Sequence, residues 1–258
     1  MRSLPEIYKA IADEGFSARV LKLINDFTNA ITDGRTNFSR YTIPEHAGVC
    51  TAGEVLIGAT VVASYARTSL EASADAARGQ EVRPSNWKID QLQEQLIEQW
   101  AKAAHLWIDN SEDILTRAYG PKIAQGAEAL VFYRSGDTSV VKMRASIYST
   151  TLKALEAIAL HNYLFPETAM HLTGFSRDRD HLLRIILTQP YVRCQRLATK
   201  PEIDAMVSPK GFHDNGDGNG TNYISDRITL EDMHPANVFI DDTTGKPICI
   251  DCIVKFRN

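Results

Sequence analysis

The stretch LEDMHPANVFIDDTTGKPICID, residues 230–251, decides how the sequence is interpreted. It contains the apolar run NVFI (237–240) and opens a second, PICIDCIV (247–254), and the polar turn between these runs predicts two paired strands. Asn237 starts the first strand and Asp251 lies near the end of its partner, so pairing brings both side chains to one edge. Asp251 stands among isoleucines and cysteines, where a carboxylate needs a buried partner or a metal ion.

The chain before this stretch changes its periodicity after Trp107, from helical spacing to alternation. Apolar residues recur at helical spacing in 4–34, from about Thr51, and from Ile89 to about His105. The third helix is expected to bury Leu92, Leu96, Trp100, Ala103 and Ala104. Small and charged residues in 74–87 predict a flexible connector. We therefore expect a helical N-terminal region, 1–105, and a second domain, 106–258.

Shorter elements are expected in the second domain. The sequence predicts strands at about Lys122–Tyr133, with a glycine turn inside it, at Thr138–Arg144 and from His181 to Pro190, and a helix at about Thr150–Leu164. The segment GFHDNGDGNGTNY (211–223) is rich in glycine, asparagine and aspartate and predicts a flexible surface loop.

The order of these pieces resembles the protein-kinase and aminoglycoside-phosphotransferase superfamily. It is most similar to the minimal kinase-like domain of polyvalent proteins, large proteins of bacterial mobile elements. The matching segments are WIDN (107–110), GAEALVFY (126–133), VVKM (140–143), LHNYLFPETA (160–169), LTQPYV (187–192), LEDMHPANVFIDD (230–242) and ICID (248–251). The resemblance implies an α+β fold: an antiparallel N-lobe sheet with one helix and a truncated C-lobe, preceded by the helical region.

The resemblance also implies a site for ATP and Mg²⁺. Asp232 would be the catalytic base that takes the proton of the attacking hydroxyl, and Asn237 and Asp251 would be ligands of the magnesium ion. Lys142 would hold two phosphates of ATP and would itself be held by Glu156.

The remaining nucleotide contacts are expected from two loops. Gly126 would let its hairpin approach the phosphates, and the hinge from Gln189 to Val192 would bind adenine through its backbone, with Val192 or Leu187 packed on the ring.

Each assignment has a plainer alternative. Gly126 is also compatible with an ordinary turn, Lys142 with a surface position on an edge strand, and the hinge with a simple loop. Glu156 competes with Glu128 and Glu167 for the role of the lysine's partner.

The stretch departs from the kinase pattern in three ways. Glu231 occupies the position where regulated protein kinases have arginine, Asp251-Cys252-Ile253 lacks the glycine of Asp-Phe-Gly, and only seven residues follow Asp251. Two functions are therefore expected: a phosphotransferase acting on a protein or small molecule, or a pseudokinase that binds or regulates without catalysis. A purely structural partner of mobile-element machinery is a third hypothesis, resting on association alone.

Composition limits the partners. The 258 residues carry a formal net charge of −4, which disfavours a dedicated nucleic-acid binder. No apolar run has the length of a signal peptide or membrane span, so a cytoplasmic protein without membrane contact is expected. The four cysteines are scattered, which fits a reduced compartment, and Cys249 and Cys252 are interpreted as small core residues.

Overall fold

A computed structural model of the protein describes residues 55–56, 58–60, 62–63, 86–126 and 128–257. The helix expected in 4–34 and nearly all of the connector expected in 74–87 lie outside these residues. The described part of 55–63 is helical, and Val55, Ala59 and Val62 are buried in it. Within the described part of the chain, none of the helices combines the length and apolarity that crossing a lipid bilayer requires.

The fold is α+β, and from residue 86 onward the described residues form four α-helices and three antiparallel sheets. The helices are α1 (Asn86–Ala103), α2 (Ser111–Tyr119), α3 (Thr151–Leu164) and α4 (Lys200–Val207). The strands are β1 (Lys122–Gln125), β2 (Ala129–Phe132), β3 (Ser139–Ala145), β4 (His171–Arg177), β5 (Leu183–Pro190), β6 (Cys194–Leu197), β7 (His213–Asp214), β8 (Tyr223–Ile224), β9 (Ile228–Glu231), β10 (Val238–Asp241), β11 (Pro247–Cys249) and β12 (Ile253–Phe256). The sheets have the strand orders β1-β2-β3-β5-β4, β11-β10-β6 and β12-β9-β8-β7.

The described residues form two compact units. The first unit contains those up to Phe132 together with Val141–Leu155 and His171–Leu187, and the second contains Tyr133–Val140, Glu156–Met170 and the residues from Thr188 onward.

The first unit is built around the five-stranded sheet. Strand β3 lies between β2 and β5, and residues 140–144 are all buried because both faces of this central strand are covered. A cluster of apolar side chains packs against the sheet: Leu115, Phe132, Val141, Met143 and Ile186. The sheet therefore holds β3 firmly on both sides.

Helix α1 of the first unit buries a different face from the expected one. Its fully buried positions are Ile89, Gln93, Ile97 and Ala101, whereas Leu92, Leu96 and Trp100 are only half-buried. The buried face includes a glutamine, Gln93, and a polar residue does not contribute to a pattern of apolar positions. Gln93 is buried because its side chain donates to Ala63 O and accepts from the N–H of Leu152, at 3.0 and 2.9 Å.

In the second unit, the run PICIDCIV is not one strand. Strand β11 ends at Cys249 and pairs with β10, while β12 begins at Ile253 and pairs with β9 in another sheet. The prediction of a single hairpin partner was therefore wrong beyond Cys249. The two sheets share one apolar cluster that includes Tyr223, Leu230, Val238, Cys249 and Val254.

Several elements of the second unit were not predicted. Helix α4 begins with a capping box, in which Thr199 and Glu202 bond each other's backbone N–H groups. The Thr-Lys-Pro-Glu sequence carries this signal. The expected loop at 211–223 contains the short pair β7 and β8, whose four residues are too few for sequence periodicity to predict.

Candidate functional site

Asp232 lies in a strained turn directly after β9. Its φ of 64° is in the left-handed region, which few residues other than glycine adopt. The turn is held by two hydrogen bonds: the Asp232 N–H donates to Asn222 Oδ1 at 3.2 Å, and the Met233 N–H donates to Thr221 O at 2.9 Å. The Asp232 side chain is 50% exposed, so this turn presents a carboxylate to solvent.

Asn237 is bound to the same turn through its side chain. Its Nδ2 donates to the backbone oxygen of Asp232 at 2.9 Å and to Asp232 Oδ2 at 3.0 Å. Because the amino group Nδ2 makes both hydrogen bonds, the amide oxygen Oδ1 of Asn237 points away from Asp232. The structure thus brings Asp232 and Asn237 together and leaves an oxygen donor on the outer side of the pair.

His234 completes this group. Its Nδ1 accepts the N–H of Ala236 at 3.1 Å, so the ring proton of the neutral imidazole resides on Nε2. Nε2 lies 3.3 Å from Asp232 Oδ1 and can donate to it. Asn237 and His234 therefore contact different oxygens of one carboxylate and fix its orientation.

Asp251 lies in the short connection between β11 and β12. The N–H of the preceding residue, Ile250, donates to the backbone oxygen of Asn237 at 2.9 Å. Asp251 is half-buried, and its Oδ1 accepts the N–H of Cys252 at 3.0 Å. Asp251 therefore directly follows Ile250, whose backbone is hydrogen-bonded to that of Asn237.

The side-chain oxygen atoms of Asn237 and Asp251 are suitable ligands for a magnesium ion. Mg²⁺ prefers oxygen ligands and is commonly held by one or two protein groups together with phosphates. The outward Oδ1 of Asn237 and the carboxylate of Asp251 both supply oxygen ligands, so these residues fit the predicted magnesium ion.

The turn at Asp232 is supported by a further carboxylate. Asn222 Nδ2 donates to Asp217 Oδ2 at 2.6 Å, and Asn215 Nδ2 donates to the same oxygen at 2.9 Å. The bonds from Asn222 and Asn215 lower the pKa of Asp217 below its ordinary value, which keeps this carboxylate ionised. The segment 215–222 thereby supports Asp232 through Asn222.

The hinge segment has a more specific arrangement than the sequence indicates. Gln189 is buried, and its Nε2 donates to Thr168 O at 2.8 Å and Ile250 O at 3.1 Å. The N–H of Tyr191 donates to Thr138 O, and the Tyr191 ring stacks on Tyr133 at 4.2 Å between centroids. The Gln189 side chain therefore connects the hinge to the residue before Asp251. Val192 is half-buried.

The other candidate residues are distributed over both units. Lys142 is 5% exposed at the centre of β3, which excludes the alternative of a surface lysine on an edge strand. Gly126 follows β1, and a Cβ at this position would meet no atom within 4 Å. Glu156 is buried in α3, in the second unit. Its pairing with Lys142 stays a prediction.

The two competing glutamates differ in their surroundings. Glu128 lies 3.4 Å from Arg144 and forms an ion pair with it, whereas Glu167 is exposed. Arg144 is buried on β3, two residues after Lys142, and so supplies a partner for Glu128 that the sequence analysis did not consider.

Sequence reasoning missed two residues of this site. His234 lies between Asp232 and Asn237 in the sequence, and the His-Pro pair was its only signal. Asn222 has no signal at all, because it is ten residues from Asp232 and belongs to a glycine-rich segment. Both residues orient the Asp232 turn.

Most of the chain matches a known protein family. Residues 90–258 match the family described as serine/threonine/tyrosine kinase found in polyvalent proteins. No curated protein matches the chain.

Proposed function

Because the chain belongs to the family of serine/threonine/tyrosine kinases found in polyvalent proteins, we propose that it transfers phosphate from ATP to a hydroxyl acceptor. The observation that carries this proposal is the fixed carboxylate of Asp232. A base for phosphoryl transfer must be oriented and accessible, and Asp232 is bonded to Asn237 and His234 while half of its side chain is exposed.

In this proposal, Asp232 accepts the proton of the acceptor hydroxyl as its oxygen attacks the γ-phosphorus. The bond from the γ-phosphorus to the bridging oxygen breaks, and ADP leaves. The Asn237 amide holds the base through its Nδ2, and His234 donates to the other carboxylate oxygen. Both contacts restrict the Asp232 side chain before the acceptor binds. Less rotational entropy is therefore lost when the side chain reaches the reactive geometry.

Asn237 Oδ1 and the Asp251 carboxylate are the proposed ligands of Mg²⁺. When bound with the nucleotide, this ion would neutralise charge on the phosphate oxygens. Gln189 contributes indirectly, because its bond to Ile250 O fixes the backbone next to Asp251. The proposed adenine donor in the hinge is the N–H of Val192, since Pro190 has none and that of Tyr191 bonds Thr138.

Gly126 and Lys142 belong to the first unit, and we propose that they contact the phosphates of ATP, with Glu156 as the partner of the lysine. The burial of Lys142 supports a role other than solubility, since a buried ammonium requires anionic or polar partners. We further propose that the helical N-terminal region, up to about residue 105, supplies packing for the kinase-like domain.

The first test is binding of ATP with Mg²⁺, measured as a shift in melting temperature. We expect stabilisation of about 2.7 kcal/mol at a nucleotide concentration 100 times Kd. Asp251→Asn and Lys142→Ala should lose most of this shift. Asp242→Asn is the matched control, because it makes the same change on the exposed turn after β10 and should keep the shift.

The second part of the test separates binding from transfer. Asp232→Ala should lower the rate of phosphate transfer, or of autophosphorylation, at least about 100-fold and leave the Kd of magnesium-ATP nearly unchanged. Nucleotide binding by the parent chain without transfer to any acceptor would favour the pseudokinase instead. A parent chain that shows no nucleotide-dependent stabilisation would contradict both functions.

A further inference from the structure

A cluster of soft ligand groups lies in the interior of the second unit. His161 is in α3, Cys249 ends β11, and Cys252 precedes β12. All three side chains are buried, and Nδ1 or Nε2 of the histidine and the two Sγ atoms lie within 4.8 Å of one another. Residues distant in sequence are thus brought to one point by three elements.

One distance in this cluster matches that between neighbouring ligands of a metal ion, and the other pairs of ligand atoms lie within 4.8 Å. Cys252 Sγ lies 3.6 Å from His161 Nδ1. Around a tetrahedral zinc ion, bonds of about 2.3 Å to sulfur and about 2.0 Å to nitrogen separate neighbouring ligand atoms by roughly 3.5 to 3.8 Å. An ion could therefore be accommodated with side-chain adjustments well below the length of a bond.

The histidine is in the tautomer that a metal requires. Its Nε2 lies 3.2 Å from the carbonyl oxygen of Thr168, which can only accept a hydrogen bond. The ring proton is therefore on Nε2, and the lone pair of Nδ1 faces Cys252. A histidine ligand whose other nitrogen donates to a backbone carbonyl is the usual arrangement around protein-bound zinc.

The surroundings of Cys249 add a second soft group. Its Sγ lies 3.2 Å from Asp251 O and 3.8 Å from Met233 Sδ. The backbone oxygen of Cys249 accepts the hydroxyl of Thr168 at 2.5 Å, so Thr168 contacts both the histidine and this strand end. Thr168 therefore holds both His161 and the end of β11 in place.

We propose that His161, Cys249 and Cys252 bind a zinc ion. Binding releases the two thiol protons to solvent, and two thiolates with one neutral imidazole make the site neutral overall around a divalent ion. Neutrality matters here because an uncompensated charge is costly at positions this deeply buried.

The ion has a structural role that concerns Asp251. Two of its ligands flank the dipeptide Ile250-Asp251, so coordination clamps the connection that carries this carboxylate. The binding of zinc does not depend on the proposed phosphate transfer, because none of the three zinc ligands contacts the Asp232 carboxylate through the bonds described above.

The experiment measures metal on the full chain, expressed with zinc in the medium, freed of any purification tag and kept reduced. We expect about one zinc per chain by mass spectrometry of the metal. Replacement by Co²⁺ should give the intense thiolate-to-cobalt absorption of a tetrahedral site. Cys252→Ser should weaken zinc binding more than about 100-fold, since even loss of an outer-shell partner costs up to that much.

A matched control carries Cys50→Ser and Cys194→Ser, which removes the other two thiols and should retain both the zinc and the cobalt spectrum. If Cys252→Ser does not fold, the cobalt spectrum of this control chain decides the question by itself. A reduced chain without zinc, or a cobalt spectrum that lacks thiolate bands, overturns the proposal. So does a Cys249–Cys252 disulfide in a chain that takes up no metal after reduction, since the pair would then serve redox chemistry.

Discussion

At the scale of single residues, the site depends on asparagine side chains that hydrogen-bond the backbone of Asp232. Asp232 keeps its left-handed backbone because Asn222 accepts its N–H and Asn237 donates to its carbonyl oxygen. Aspartate tolerates this conformation better than most residues, because its short polar side chain can bond locally. Local strain at this exposed carboxylate is thus offset by amides from two different segments.

Tyr223 gives a prediction at this scale. Its hydroxyl donates to Asp204 Oδ1 at 2.8 Å, and burial, with Asp204 nearby, raises the pKa of Tyr223 to about 12 from its ordinary value of 10.0. The folded state therefore retains a proton that the unfolded state loses, and the stability contributed by this group is present in full below pH 10 and lost as pH rises towards about 12.

The measurement is the free energy of unfolding by urea between neutral pH and pH 11. Tyr223→Phe should cost about 1 kcal/mol at neutral pH and should lessen the alkaline loss. Tyr119→Phe, at an exposed tyrosine of α2, is the control and should keep the parent's profile. An unchanged alkaline loss in Tyr223→Phe would contradict the assignment.

At the scale of elements, α1 caps α3. Asp90 Oδ1 accepts both the N–H and the hydroxyl of Thr151, at 2.5 and 2.6 Å, and Gln93 Oε1 accepts the N–H of Leu152. The first N–H groups of a helix have no partner inside the helix, so these bonds satisfy donors that would otherwise be buried without one. The start of α3 is therefore linked to a residue 61 positions earlier in the chain.

Removal of this cap should be measurable. Asp90→Ala should lower the free energy of unfolding by about 1 to 2 kcal/mol, which is the usual cost of losing a helix cap. Asp226→Ala, at an exposed position, should change it by less than about 0.5 kcal/mol. Equal effects of the two substitutions in urea unfolding would show that α1 does not stabilise α3.

At the scale of the whole molecule, α1 is more closely tied to the rest of the first unit than the change of period after Trp107 indicates. Arg177 on β4 bonds Glu94 and Glu98 of α1, each at 2.8 Å. Bonds to Lys102 and Arg177 lower the pKa of Glu98 below its ordinary value despite partial burial. Trp100 also meets Phe175 of β4 edge to face at 6.3 Å.

Truncation tests whether α1 is needed for the stability of the first unit. A chain that begins at residue 106 lacks the caps of α3 and uncovers Phe175, so we expect it to be largely insoluble or to lose cooperative melting. A chain that begins at residue 86 retains α1 and should keep more helix and a higher melting temperature by circular dichroism. If both chains melt alike, α1 is dispensable and the boundary near residue 105 describes the folding unit.

Local sequence was sufficient for elements whose signals are contiguous. The spacing after Ile89 predicted α1, the run ending at Leu164 predicted α3, and β-branched residues around Lys142 predicted β3. The motif from Asp232 to Asn237 indicated the kinase family, which the family match confirms. Short strands such as β7 and β8 carried too few residues to show a period.

By itself, the sequence determined the family, because its motifs are encoded in short runs read along one strand or turn. Only the tertiary structure decided which face of α1 is buried, where PICIDCIV divides between two sheets, and that His161 meets Cys249 and Cys252. These features depend on pairing between segments distant in the chain, and hydrogen bonds such as those of Gln93 and Gln189 have no periodic signature.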